Sequence, residues 1–371
     1  MTHFKAAHAT AEDWAHVAQA CADRLAPLPA GANLGFVYAT DVLADDFARI
    51  IAYLRQKTGV EHWVGTVGMG ICASNAEYFD KPALAVMVAK LPPEGFRVFP
   101  ALSRQGSHLP DDSRAWAAKA GAPFAIVHGD PTNAHTPALI DTVAEETTGF
   151  LVGGLTSSRG PCHQVAGRIT GGGVSGVLFS PAVEVATGLT QGCAPLAGTH
   201  IITDGLDNVI LSLDGRRALD VFKEDIGELL ARDLNRAAGY IHTAFPIEGS
   251  DLNDYLVRNI VGIDLARGWI AVGGEVNAGH RVMFVRRDPK SAEADLVRML
   301  ETLKRRLPGA PKGGVYFSCV ARGANMFGRE GREMELIRER LGDVPLVGFY
   351  AGGEISNCRL YGYTGVLALF L

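Results

Sequence analysis

A cysteine and an arginine stand three residues apart in Ser318-Cys319-Val320-Ala321-Arg322-Gly323. An arginine beside a thiol lowers its pKa, and a thiolate is both a nucleophile and a metal ligand. Arg322 can also grip a carboxylate through two parallel hydrogen bonds. The bland alternative is a core cysteine and an arginine in a structural ion pair. A second group follows the apolar run 345–351, where Gly352 and Gly353 lead into Glu354 and, after two residues, Asn357. Gly353 at a strand end lets a ligand or another strand approach the backbone closely. Glu354 can bind an amine, accept a hydrogen bond or exchange a proton. Its bland alternative is a carboxylate taking N–H groups of its own loop.

His128 lies at a strand end in "AIVHGD", with Asp130 following. An imidazole there can ligate haem iron or hydrogen-bond a ligand. His128 and Cys319 are thus the two candidate metal ligands. A packed, hydrogen-bonded histidine is the alternative, and His62, alternating with Val64 and Thr66, is read that way. Ser74-Asn75 and Ser157-Ser158-Arg159 supply donors and acceptors without a nucleophile–base pair. Arg258-Asn259 is a polar pair in the apolar setting "YLVRNIVGID". It is expected in mid-helix, with Arg258 reaching a ligand or an internal carboxylate. The chain contains no G-x-S-x-G, P-loop, H-E-x-x-H or dinucleotide fingerprint. "GGGVSG" at 171–176 precedes an apolar strand rather than a helix, so it reads as a turn. Lys304-Arg305-Arg306 reads as the solvated last turn of a helix.

The elements that carry these residues recur. "NLGFVYATD" is a strand, "DFARIIAYLRQKTG" a helix, "HWVGTVGMG" a glycine-broken strand and "ALAVMVAKL" an apolar strand. The same order returns in "PFAIVHGD", "TPALIDTVAEETTG", "FLVGGLTSS" and "GVSGVLFS". It returns again in "GVYFSCVARG", "REMELIRERLG", "PLVGFYAGGE" and "YTGVLALFL". Each second strand carries Val-Gly, at Val64-Gly65, Val152-Gly153 and Val347-Gly348. Strand–helix–strand favours a parallel pair through a right-handed crossover, and the following strand favours antiparallel pairing. The expected class is α/β, with repeated β-α-β-β units in mixed sheets and helices on the outer faces. Two sheets face to face would make four layers, helix–sheet–sheet–helix. If the copies surround a shared crevice, His128, Cys319 and Glu354 face it together.

Between copies two and three the pattern changes. Asp204-Gly205 and Asp214-Gly215 flank a hairpin strand, "FKEDIGELLARDLNRA" is amphipathic, and "GWIAVGGEVNAGHRVMFVRRD" reads as two strands. The chain has 371 residues, a net charge of −5 and 20% charged side chains, so nothing directs it to nucleic acid or anionic membrane. Its N-terminus has no apolar stretch of signal or membrane-spanning kind. Six cysteines without C-x-x-C suit free thiols in a reducing cytoplasm.

"NLGFVYATD…TGVEHWVGTVGMG" resembles the start of the FIST N-terminal domain. "LDGRRALDVF", "SDLNDYLVRNIVGID", "YFSCVARG" and "PLVGFYAGGEISN…YTGVLALF" resemble the FIST C-terminal domain in order. Residues 1–29 are expected to form an N-terminal helical segment, and the resemblance implies a FIST N domain over 30–218 and a FIST C domain over 219–371. It also implies a sensory, small-ligand-binding protein in signal transduction. The ligand would be a metabolite such as an amino acid, or haem with nitric oxide sensing. Its output would pass to a separate protein such as a histidine kinase. A cysteine-dependent enzyme built on Cys319 and an interaction scaffold are the alternatives.

Overall fold

The computed structural model describes residues 3–121, 123–234, 237, 239–247 and 254–371. They form two compact units. The first takes in the chain up to Thr190, Asp295–Leu360 and Thr364–Leu371, and the second takes in Gln191–Ala294 and Tyr361–Tyr363.

In the first unit the repeat is longer than its sequence pattern. Copy one opens with an edge strand, Phe4–Thr10, and a helix, Trp14–Leu25. The segment expected to be helical thus starts as a strand. The first strand Leu34–Thr40, helix Phe47–Thr58, second strand His62–Gly68 and third strand Ala83–Ala89 follow. Copy two has the same order, from edge strand Phe96–Leu102 and helix Asp111–Ala120 to third strand Val174–Phe179. Copy three opens with edge strand Val185–Gln191, and its helix Pro289–Arg306 follows only after the β-strands of the second unit. The second unit is therefore a sequence insertion into copy three.

First and second strands pair in parallel, and third strands pair antiparallel with the first, in all three copies. The Val-Gly signature has a steric cause. A β-carbon on Gly65, Gly153 or Gly348 would lie 1.7, 1.8 and 1.7 Å from the carbonyl oxygen of Val37, Val127 and Tyr316. No side chain fits against the neighbouring strand at that position.

After each second strand the chain makes a short hairpin that leaves its own sheet. The hairpin of copy one (Gly70–Ala73, Ala76–Phe79) pairs with the second strand of copy three. The hairpin of copy three (Glu354–Ser356, Arg359–Tyr361) joins the second strand of copy two. The hairpin of copy two (Gln164–Ala166, Arg168–Thr170) joins that of copy one. The exchange closes a ring of three six-stranded sheets.

Alternate residues of each strand face opposite ways. Phe36 and Tyr38, Ile126, and Val315 and Phe317 enter one core shared by all three sheets. Val37 and Ala39 instead meet the helices of copy one, and Ala125 and Val127 those of copy two. The α/β class with helices on outer faces is as expected, with three sheets around the shared core.

In the second unit, His200–Leu206, Val209–Leu213, Trp269–Val272, Tyr255–Asp264, Ile241–Pro246 and Arg281–Arg287 pair antiparallel in a closed ring. Helix Ala218–Ala231 packs Leu219, Phe222 and Ile226 into its core. Arg258 and Asn259 lie on strand Tyr255–Asp264, not in a helix as expected. Val257, Ile260, Val261 and Ile263 are β-branched, which suits a strand, and the barrel pairs both edges of that strand.

Candidate functional site

Strand register aligns the copies residue by residue. The Val-Gly glycines lie opposite Val37, Val127 and Tyr316, so the next residues, Tyr38, His128 and Phe317, are equivalent. Their rings meet in the shared core, with centroids 5.6, 6.2 and 6.1 Å apart. The Phe349 ring packs against all three. The expected crevice is absent here, because aromatic rings fill the centre where the sheets converge. His128 is fully buried, its Nε2 lies 3.2 Å from the Tyr38 hydroxyl, and its Nδ1 has no partner among the described residues. Burial pushes its pKa down to about 3, so the imidazole is neutral.

Two positions farther along, the equivalent residues are Thr40, Asp130 and Cys319. The exchanged hairpins place Ile71, Gln164 and Glu354 opposite Phe349, Thr66 and Gly154. These three positions differ sharply in chemistry. In copy one, Thr40 donates to the carbonyls of Lys81 and Ala83, and Ile71 is apolar. In copy two, Gln164 donates to the Gly173 carbonyl and accepts from Ser175, while Asp130 accepts from Thr132 and Gly172.

Copy three carries a buried polar cluster. Glu354 Oε2 accepts from the Thr364 N–H at 3.0 Å and from its hydroxyl at 2.8 Å, and the Cys319 thiol also donates to this carboxyl. Glu354 Oε1 is buried without a partner among the described residues. Burial raises its pKa to about 8 against these bonds and the nearby Arg322 charge, so it is largely protonated at neutral pH. Arg322 forms a fully buried ion pair with Glu333, with Nε and Nη2 both 2.8 Å from Oε1. Burial alone would lower the arginine's pKa, but the Glu333 carboxylate outweighs it and keeps the guanidinium charged. Arg322 Nη1 has no hydrogen-bond partner among the described residues. The Tyr316 hydroxyl and Ser318 also donate to Glu333.

His128, expected to face one crevice with Cys319 and Glu354, stands in the aromatic core, while Cys319, Arg322 and Glu354 are neighbours. Gly323 adjoins them, in a left-handed conformation where a β-carbon would meet Phe79 at 3.2 Å. The Gly353 carbonyl accepts from the Leu155 N–H and fixes the start of the exchanged hairpin.

The remaining candidates have structural partners. Asn357 turns the copy-three hairpin at φ +47°, and its N–H donates to Leu151. Ser74, in the matching turn of copy one, accepts from the Leu346 N–H, and Asn75 bonds His8. Arg159 ties Asp41 to Asp80 across two loops. Arg258 Nη1 donates to the Val257 carbonyl, and Asn259 accepts from the Tyr363 hydroxyl in the second unit.

The residues around His128 do not fit a haem. A macrocycle needs an open slot beside its axial nitrogen, and here Tyr38 holds Nε2 while Phe317 and Phe349 cover the ring. Cys319 lies with Glu354 rather than with His128, so the two do not form a shared metal site.

Glu333, Thr364 and Glu77 are cluster members that motif reading missed. Glu333 did carry a signal, because it lies four residues before Ile337 on the apolar face of helix Arg332–Leu341. Glu77 joins the cluster only through the hairpin exchange, which leaves no local trace, whereas Thr364 is placed by the pairing of copy three's third strand with its first.

The FIST N domain family model matches residues 33–216, and the FIST C domain model matches 218–357. Their junction falls inside the barrel unit. An uncharacterized protein of Mycobacterium tuberculosis is 32% identical over 328 residues, 83% of this chain and 83% of the relative. An uncharacterized protein of Mycobacterium bovis is 29% identical over 359 residues, 91% of this chain and 90% of the relative. Among the described residues no helix is long and apolar enough to cross a membrane. The repeats, the exchanged hairpins and these matches together place the chain in the FIST family of signal-transduction sensory domains.

Proposed function

We propose that the protein is a sensor that binds a small zwitterionic metabolite, such as an amino acid, at the copy-three cluster. One observation carries the reading. Among the described residues, the equivalent Ile71 and Gln164 leave no side-chain polar atom unsatisfied, whereas Glu354 keeps Oε1 without a partner, and Arg322 beside it keeps Nη1 without one. Such atoms cost about 1–3 kcal/mol each, and more when charged. A ligand carboxylate on Arg322 and a ligand ammonium on Glu354, whose carboxyl would release its proton to solvent as the ammonium binds, would satisfy both.

The nucleophile reading of Cys319 has weaker support. Its hydrogen-bonded neighbour is a carboxyl that burial keeps protonated, which is a poor base. We place the sensor in the cytoplasm, where its six free thiols stay reduced. Its output would pass to a separate signalling protein.

Thermal unfolding against a panel of amino acids and related zwitterions tests the reading. At least one compound should raise the Tm of the wild type and leave Glu354→Gln unmoved. A shift of equal size in both proteins would refute the site.

A further inference from the structure

One segment, 320–331, follows directly on Cys319. Arg322 belongs to that segment, and Glu333 lies just beyond it. Within it Gly323, Gly328 and Gly331 all have positive φ, at +56°, +82° and +80°, around a single helical turn, Ala324–Phe327. The turn is too short to be stable alone. It is held by Met326 and Phe327, which are buried, and by the Arg322 guanidinium 5.1 Å above the Phe327 ring.

The far end of the segment is held from another copy. Glu77 lies on the hairpin that copy one lends to the copy-three sheet. Its carboxylate receives the N–H groups of Gly331 and of Met334, the latter at 3.4 Å. Those are N–H groups at the start of helix Arg332–Leu341, left without a partner by the helix itself, and Gly331 offers no side chain to cap them.

We propose that residues 320–331 form a lid over the copy-three cluster, and that Glu77 is the latch that holds its far hinge shut. Opening pivots at the glycines, lifts Phe327 from its seat and exposes Cys319 and Glu354. The lender of the latch is copy one, so whatever disturbs that hairpin also sets access to the cluster. The proposal rests on the sensor reading only for what enters, because opening itself needs no ligand to be measured.

Iodoacetamide labelling of the full chain, followed residue by residue with mass spectrometry, reads the opening. Cys319 is buried under the lid and reports on it. Cys21 is buried on the helix of copy one and reports global unfolding. Glu77→Ala should raise the Cys319 labelling rate about tenfold or more with Cys21 unchanged, which corresponds to about 1.4 kcal/mol of latch. Phe327→Ala should do the same from the other end of the lid. Glu77→Gln, which keeps an acceptor oxygen, should fall between wild type and Glu77→Ala. A Cys319 rate that stays at the wild-type value in both alanine variants, or rises only in step with Cys21, overturns the lid. A zwitterion-induced Tm shift that survives such a result would leave the sensor reading standing without a lid.

Discussion

Glu354 and Gln164 occupy the same place in two copies of one fold. Each begins the hairpin that its copy lends away, and each lies opposite the residue after a Val-Gly glycine. The Gln164 amide is satisfied at both its oxygen and its nitrogen. Glu354 has one oxygen satisfied and one buried without a partner among the described residues. The same backbone geometry therefore carries a fully paired amide in one copy and a half-paired carboxyl in the other.

The first prediction concerns pH. The Glu354 carboxyl holds its proton up to about pH 8 in the fold, against an ordinary value of 4.5. A raised folded pKa gives stability that is complete below 4.5 and is lost as pH rises through about 8, with a slope of up to about 1.4 kcal/mol per pH unit. Glu77, raised to about 7 by burial, adds a similar fall at lower pH. Glu354→Gln removes only the first contribution. In urea unfolding it should match the wild type near pH 5 and exceed it above pH 8. Parallel pH profiles would mean that the carboxyl is not kept neutral.

His128 gives the opposite sign. Its folded pKa is lowered to about 3 from 6.5, so its contribution is present above 6.5 and is lost as pH falls toward 3. Phenylalanine already fills the equivalent position in copy three. His128→Phe should therefore fold and lose stability more slowly than the wild type between pH 6 and pH 4. It should cost about 1–3 kcal/mol at pH 7 through the unpaired Tyr38 hydroxyl. Acid unfolding that tracks the wild type would contradict a buried neutral imidazole.

The Val-Gly positions admit no side chain. Gly153→Ala would bring a β-carbon within 1.8 Å of the Val127 carbonyl oxygen and should cost about 4 kcal/mol or more. Gly309→Ala meets nothing within 4 Å and should change stability by about 0.5 kcal/mol at most. Chemical denaturation of the pair checks the contrast.

The Arg322–Glu333 pair is fully buried. Glu333→Leu leaves a guanidinium uncompensated and should cost about 3–5 kcal/mol. Adding Arg322→Met should recover much of that loss. A double variant no more stable than Glu333→Leu would show that the pair does not act as a unit.

The threefold repeat was legible because Val-Gly records a backbone contact that no other residue tolerates. Cys319 and Arg322 were legible as neighbours because they lie three residues apart at one strand end. The edge strands were not. Phe96–Leu102 and Val185–Gln191 are mostly half-buried and lack the apolar run of a central strand, and 97 residues separate Gln191 from the copy-three helix that starts at Pro289. The filled centre was equally hidden. His128 reads as a ligand in sequence, and only the register shows that it stands in a ring of three equivalent side chains. Arg258 was misplaced because its short apolar run fits either period, and barrel pairing decides between them.

Native mass spectrometry tests the central claim most directly, with wild type and Glu354→Gln sprayed beside the zwitterion panel. The account predicts a one-to-one adduct on the wild type that is lost or strongly weakened in the variant. Equal adduct on both proteins, or none on the wild type with any compound, would contradict it.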